Sequence, residues 1–247
     1  MSTQALLAAT VAVAVVTEAH GHAGRRLQVE VVDGKLQAQG IDTGQASGAP
    51  AVRPYVNAIH EHWQNVPGSG FAFARLPGFD VPPTQALAGH DLELDWISTQ
   101  RWVSPPPMPT ETTVPRLEPL APGTRISISA VSDANSDSRG ALVLVESVQA
   151  VGAADVDLYY QINGLPTDEI YVLTFILSAH PESGVAGAIA ASDPISILLA
   201  PDGTTPAERL HHSAQFLEAY VATVPEPGVP AAAALFLLAG GVRSRGP

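Results

Sequence analysis

Apolar and polar residues alternate with a period of two along much of this chain. Leu27, Val29 and Val31 alternate with Gln28 and Glu30, and Asp33-Gly34 follows before Lys35 to Gln39. Such alternation puts one set of side chains on each face of a strand, and Asp-Gly between two runs is a preferred two-residue hairpin turn. The pattern predicts a first β-hairpin. Leu92 to Ile97 alternates as cleanly, and Thr124–Val131, Ala141–Val148, Asp155–Ile162, Glu169–Ser178 and Ile195–Ala200 are five further strand candidates. In the first of these Ile126, Ile128 and Ala130 are expected inward, with Arg125, Ser127 and Ser129 outward. Turn residues such as Asp133-Ala134-Asn135 and Asn163-Gly164 separate the runs. About six to nine short strands without intervening helices describe an all-β fold, an antiparallel β-sandwich.

Other stretches depart from that pattern. Val52, Tyr55, Val56, Ile59 and Trp63 fall at helical spacing, while Pro54 favours an extended chain, so both readings stay open. Ile41 to Pro50 reads as a loop, and the Pro105–Pro109 cluster as a spacer that no central strand contains. Pro67 to Gly89 is dense in proline and glycine, an irregular crossing whose Phe71, Phe73 and Phe79 are expected to plug into the core. One helix is signalled, with Thr205 as N-cap, Pro206 at the first position and Glu208 closing a capping box. Leu210, Ala214, Leu217 and Val221 form its apolar side. It is expected to pack against the sandwich edge or to stand off as a stalk.

The two ends are apolar in another way. Ala5 to Val16 is a run of a dozen residues, apolar but for Thr10, too short to span a bilayer and followed by small residues, which reads as a secretory signal. Cleavage is expected after Ala23 or after Ala19. At the other end Val229 to Gly240 is an uncharged Ala- and Leu-rich run. The expected division is a signal peptide at 1–23, a β-sandwich body at 24–204, an amphipathic helix or stalk at 205–223 and a tail at 224–247.

Composition narrows the chemistry. Acidic residues outnumber basic ones 24 to 12, a formal charge of −12, which argues against nucleic acid or an anionic membrane surface as partners. There is no cysteine, so disulfides, thiolate metal sites and thiol catalysis are absent by inventory. No Gly-x-Ser-x-Gly elbow, phosphate loop or dinucleotide fingerprint occurs, and no catalytic residue is assigned. The acidic pairs Asp91/Glu93 and Asp155/Asp157 each share one side of a strand, as two glycosidase carboxylates would, but are expected to form solvated faces.

Histidine is the unusual residue. His60-Glu61-His62 can aim two imidazoles at one cation from an extended segment, and with His90 it forms a candidate zinc or copper set. His20-Gly21-His22 is a second such pair, retained only if cleavage follows Ala19. A mature chain starting at His20 could then wrap Cu(II) or Ni(II) with its amine, two amides and the His22 ring. The plainer reading places His60 and His62 beside a packed Trp63 and the pair His211-His212 on the helix, with Glu208 one turn before His212. No cofactor is expected on that reading.

The tail carries a family signature. Val224-Pro225-Glu226-Pro227, the hydrophobic stretch Ala231 to Ala239, and Arg243 with Arg245 follow one another as handle, membrane segment and basic end. This arrangement resembles the PEP-CTERM sorting signal of exosortase substrates in Gram-negative bacteria, a tail also called the ice-binding protein C-terminal domain. The resemblance covers about a tenth of the chain. It implies passage through Sec export machinery, a transmembrane stage, processing by an exosortase, and display at the cell surface or in an extracellular polysaccharide matrix. It implies no activity. The expected function is thus a non-enzymatic secreted protein whose body binds carbohydrate or matrix proteins. The alternative is a metal-binding protein or metalloenzyme of the cell envelope built on the His-x-His pairs.

Overall fold

A computed structural model describes residues 25–42, 51–53, 58–75, 77–103, 114–138, 140–164, 169–185 and 187–223. The expected signal peptide, the proline spacer and the tail lie outside these residues. The described chain is mostly β: β1 (Arg25–Val32), β2 (Lys35–Asp42), β3 (Ala51–Arg53), β4 (Ala58–Asn65), β5 (Phe71–Ala74), β6 (Gly78–Val81), β7 (His90–Trp102) and β8 (Leu117–Pro119). There follow β9 (Arg125–Ser129), β10 (Asp133–Asn135), β11 (Ala141–Val145), β12 (Ala154–Val156), β13 (Tyr159–Asn163), β14 (Ile170–Pro181), β15 (Ile195–Pro201) and a single helix, α1 (Ala207–Thr223).

The strands form two sheets, as an all-β sandwich requires. The smaller has the order β12-β6-β1-β2-β3, and the larger runs β10-β9-β13-β5-β4-β15-β14-β7-β11, with β8 beside β7. Pairing is antiparallel except for β1 with β6 and β4 with β15, which run parallel. The β1–β2 hairpin turns at Asp33 and Gly34, both with positive φ (51° and 76°), the left-handed pair that a two-residue turn of this twist demands. Leu27, Val29, Leu36 and Phe79 of the small sheet meet Leu94, Tyr160, Leu173 and Ile197 of the large one in one continuous core.

The structure holds more strands than the alternation suggests. The described parts of the stretch left open between helix and strand are extended: residues 51–53 are β3 and 58–65 are β4. The expected irregular crossing contains β5 and β6, and there Phe79 is fully buried while Phe71 and Phe73 are only half-buried. Pairing with β13 sets the phase of β5 by placing Ala72 opposite Ile162 and Ala74 opposite Tyr160. Cross-strand partners share a face, so the alanines enter the core and the phenylalanines turn outward. The run Asp155–Ile162 is two strands, broken at Asp157 and Leu158.

That break has an ionic cause. Arg26 is fully buried, and its Nε donates to Asp80 (2.6 Å) and its Nη1 to Asp157 (2.9 Å). Its Nη2 donates to Asp155 and to the Phe79 carbonyl. A buried guanidinium is tolerable only when its donors are all used, and here the acids of β6, β12 and the β12–β13 link supply the partners. Gly78 makes room: a Cβ there would lie 2.9 Å from Arg26 Nη1 and 2.5 Å from the Val156 carbonyl oxygen. Asp155 and Asp157 are therefore structural counter-ions, where a solvated face was expected.

The large sheet is buried on both sides at its centre. Ile195, Ile197 and Leu199 of β15 face the sandwich core, while Leu198 and Ala200 face a second cluster with Ala58, Val172, Trp102 and, from α1, Leu210, Ala214, Phe216 and Leu217. The helix lies across the middle of the sheet, over β4 and β15, rather than at its edge. Its first backbone bond runs from Leu210 N to the Pro206 carbonyl (3.1 Å), in keeping with proline at the helix start. One bulge lets β7 serve both clusters. Ser98 pairs with Thr174 and Trp96 with Phe175, leaving Ile97 as the extra residue. An extra residue inverts the alternation, so Leu92, Leu94 and Trp96 face the sandwich core and Trp102 faces the helix.

Candidate functional site

Alpha-helix α1 covers one half of the large sheet's outer face, and the other half carries the candidate site. Register fixes which side chains share it. Gln64 of β4 is opposite Phe73 of β5, Phe73 opposite Gln161 of β13, and Gln161 opposite Ser127 of β9. A second row, one pleat along, joins Phe71, Asn163 and Arg125, and a third joins Tyr159 to Ser129. Gln64 is two residues from His62 and four from His60, so these rows continue the helix-bearing face rather than the core face. Core-facing Ile126, Ile128, Tyr160, Ile162, Ala72 and Ala74 alternate with them as buried residues.

The chemistry of this face is aromatic and amide. Tyr159 is 47% exposed, Gln161 is exposed, and Phe71, Phe73, Asn163, Ser127 and Ser129 are half-buried. Arg75 holds the Tyr159 ring in place: its Nη2 donates to the phenol oxygen (3.1 Å) and its Cζ lies 5.3 Å from the ring centroid. Gln161 Nε2 donates to Asn163 Oδ1 (2.7 Å), which orders the two amides along β13. The guanidiniums at either side are tied to carboxylates, Arg75 to Asp157 at 3.7 Å and Arg125 to Asp137 at 3.4 Å. Planar rings, amides and hydroxyls along one sheet face suit a ligand that is itself part apolar and part hydroxylated.

Directly beneath, Tyr160 is the counterpart of Tyr159 on the core side. Its hydroxyl donates to the Pro77 carbonyl (2.8 Å), and burial pushes its pKa well above the usual tyrosine value, with Arg26 pulling it down and Glu61 adding to the rise.

The histidines are placed otherwise than a metal set requires. His60 and His62 face α1: His60 Nε2 lies 3.3 Å from His211 Nδ1, one ring donating to the other, and His62 Nε2 donates to the Thr205 carbonyl (2.9 Å). His90 stands far away. Register carries His60 across Leu198 and Val172 to Gln100, ten residues along β7 from His90. At about 3.3 Å per residue and three strand spacings, His60 and His90 are on the order of 30 Å apart, and on opposite faces of the sheet. His90 Nε2 instead donates to the Gly187 carbonyl (3.2 Å). His60, His62 and His90 do not converge, and among the described residues no group of three His, Cys, Asp or Glu could hold a metal ion.

The acidic pairs are occupied too. Asp91 accepts from Ser147 N (2.8 Å) and Glu93 lies 3.5 Å from His180. His20, His22, Ala19, Ala23, Val224, Pro225, Glu226, Pro227, Arg243 and Arg245 lie outside the described residues, as does the side chain of Glu208. No described helix is long and apolar enough to cross a membrane. The aromatic face was not singled out from sequence. Its one cue is Tyr159 in phase with Gln161 and Asn163, an aromatic ring in the polar register of a strand.

No protein-family model and no curated protein matches this chain. Two solved structures are similar to it. The N-terminal domain of PorA is 14% identical over 63% of this chain and 93% of that one, with a TM-score of 0.28. The CupB6 tip adhesin from Pseudomonas aeruginosa is 12% identical over 67% of this chain and 50% of that one, with a TM-score of 0.27. Likenesses this remote do not bear on function.

Proposed function

We propose that this is a non-enzymatic protein, exported to the cell surface or extracellular matrix, whose β-sandwich body binds a matrix component through the open half of its large sheet. The observation that supports the reading is the face itself: exposed Tyr159 clamped by Arg75, with Phe73, Gln161 and Asn163 arranged around it at strand spacing. Such a surface offers binding without a pocket or a reacting group. The resemblance of residues 224–247 to a PEP-CTERM tail supports the location.

The test is retention. In a host that makes polysaccharide and an exosortase, the full chain should fractionate with surface and matrix material. A variant carrying Phe73→Ser, Tyr159→Ser and Gln161→Ala, with an unchanged circular dichroism spectrum, should move to the soluble medium. Unchanged retention of that variant overturns the reading.

A further inference from the structure

We infer that the occupant of this face is a neutral polysaccharide, its sugar rings stacked on Tyr159 and Phe73 and its hydroxyls bonded by Gln161 and Asn163; the inference rests on the reading above that this face is the binding surface. Charge selects the class. Arg75 is engaged by Asp157 and Arg125 by Asp137, while Asp133 of β10, paired with Ser129, adds a negative group at the rim. The chain as a whole carries −12. An anionic polymer approaching this face enters a repulsive field and meets cations already neutralised, whereas an uncharged chain is indifferent to both.

Hydrogen bonding selects it further. With Gln161 Nε2 donating to Asn163 Oδ1, Gln161 keeps its carbonyl oxygen and a second N–H, and Asn163 keeps its two amide hydrogens. Donors and acceptors therefore stand side by side along β13. A sugar hydroxyl, which both donates and accepts, satisfies either one. The apolar side of a pyranose ring needs a flat aromatic surface, and Tyr159 supplies one whose orientation Arg75 has already fixed, so little rotamer freedom is lost on binding. A protein partner would call for a contiguous apolar centre, and Ser127 with Gln161, Asn163, and Ser129 interrupt this face at each row.

Shape sets the length of the ligand. The longest row crosses β9, β13, β5 and β4, a width of about 15 Å, and successive rows are about 7 Å apart. An area of that extent accepts several sugars lying side on, so a polymer fills it where a single sugar does not.

The experiment is a pull-down of the full chain on insoluble cellulose, mannan and β-glucan as neutral probes, and on alginate and polygalacturonate gels as anionic ones, at two salt concentrations. The expected result is retention on at least one neutral polysaccharide, insensitive to salt. It should weaken about tenfold in Tyr159→Ala, the size of a typical anchor truncation, and hold in Tyr159→Phe, which keeps the ring. Retention only on the anionic gels, abolished by salt and lost in Tyr159→Ala, overturns the inference. So does capture of a matrix protein, but no polysaccharide, through a face that Tyr159→Ala disables. Either of these leaves the face as the binding surface and changes only the occupant. Neutral binding that survives Tyr159→Ala and Phe73→Ser in a folded chain overturns the site and the reading of function together.

Discussion

The two halves of the large sheet's outer face follow the same pleat and the same alternation, yet one is closed and the other open. Under α1 the outward positions are Ala58, Val172, Leu198 and Ala200, joined by Trp102 after its bulge; beyond β4 they are Phe71, Phe73, Tyr159, Gln161, Asn163, Ser127 and Ser129. Aliphatic side chains have no use for water and demand a cover. Aromatic and amide groups gain from a ligand without needing one. The difference teaches that burial on both faces, as in β15, marks where the chain covers itself, while an aromatic row in the polar phase marks surface left for something else.

The largest effect should come from opening the closed half. Phe216 is fully buried and its ring lies 5.7 Å from that of Trp102. Phe216→Ala removes that pair and leaves a cavity, so urea unfolding should show a loss of about 3–5 kcal/mol. A loss under 1 kcal/mol would mean that α1 is a dispensable cover. Within the same half, His60→Ala takes the buried partner from His211 Nδ1, at an expected cost of about 2–3 kcal/mol in the same assay. A neutral result would show the His60–His211 contact to be incidental to helix docking.

Sequence made the frame legible where a strand has one buried face. The Asp33-Gly34 hairpin, the inward Ile126 and Ile128, and the start of α1 all follow from local pattern. It was not legible where a strand serves two faces. The residues of β4 with helical spacing, Ile59 and Trp63, belong to the sandwich core, while Ala58, His60 and His62 between them belong to the helix side, so no period of two stands out. The bulge at Ile97 hides the true length of β7 for the same reason. The candidate site was missed because the phase of Phe71 and Phe73 is fixed by pairing with β13, ninety residues on, which no local window contains. The histidine set failed because spacing along one strand says nothing about the ten residues of register that separate His60 from His90.

Tyr159 and Tyr160 compress the comparison into two neighbours. Tyr160 is kept neutral in the folded chain by burial, opposed by Arg26 and assisted by Glu61, so its pKa lies above the unfolded value of about 10. A raised pKa contributes stability that is fully present below about pH 10 and is lost as pH climbs toward the folded value. Alkaline unfolding should therefore be steep above pH 10 in the wild type and shallower in Tyr160→Phe. At pH 7 that variant should lose about 1–2 kcal/mol with the bond to Pro77. Equal alkaline slopes in the two proteins would mean that Tyr160 does not drive the transition.

Tyr159→Ala should cost least. The side chain is 47% exposed, and its partners are an exposed arginine above the ring and one hydrogen bond through its hydroxyl. Exposed contacts of that kind are worth about 0.5–1 kcal/mol, part of which returns when Arg75 turns fully to Asp157, so thermal unfolding should move by no more than a few degrees. The measurement pairs with the pull-down. Near-native stability together with lost retention on neutral polysaccharide separates a ring kept for a ligand from a ring kept for the fold. A destabilisation approaching that of Phe216→Ala would erase the contrast between the two halves, because the open face would then be holding the sandwich together as the closed one does.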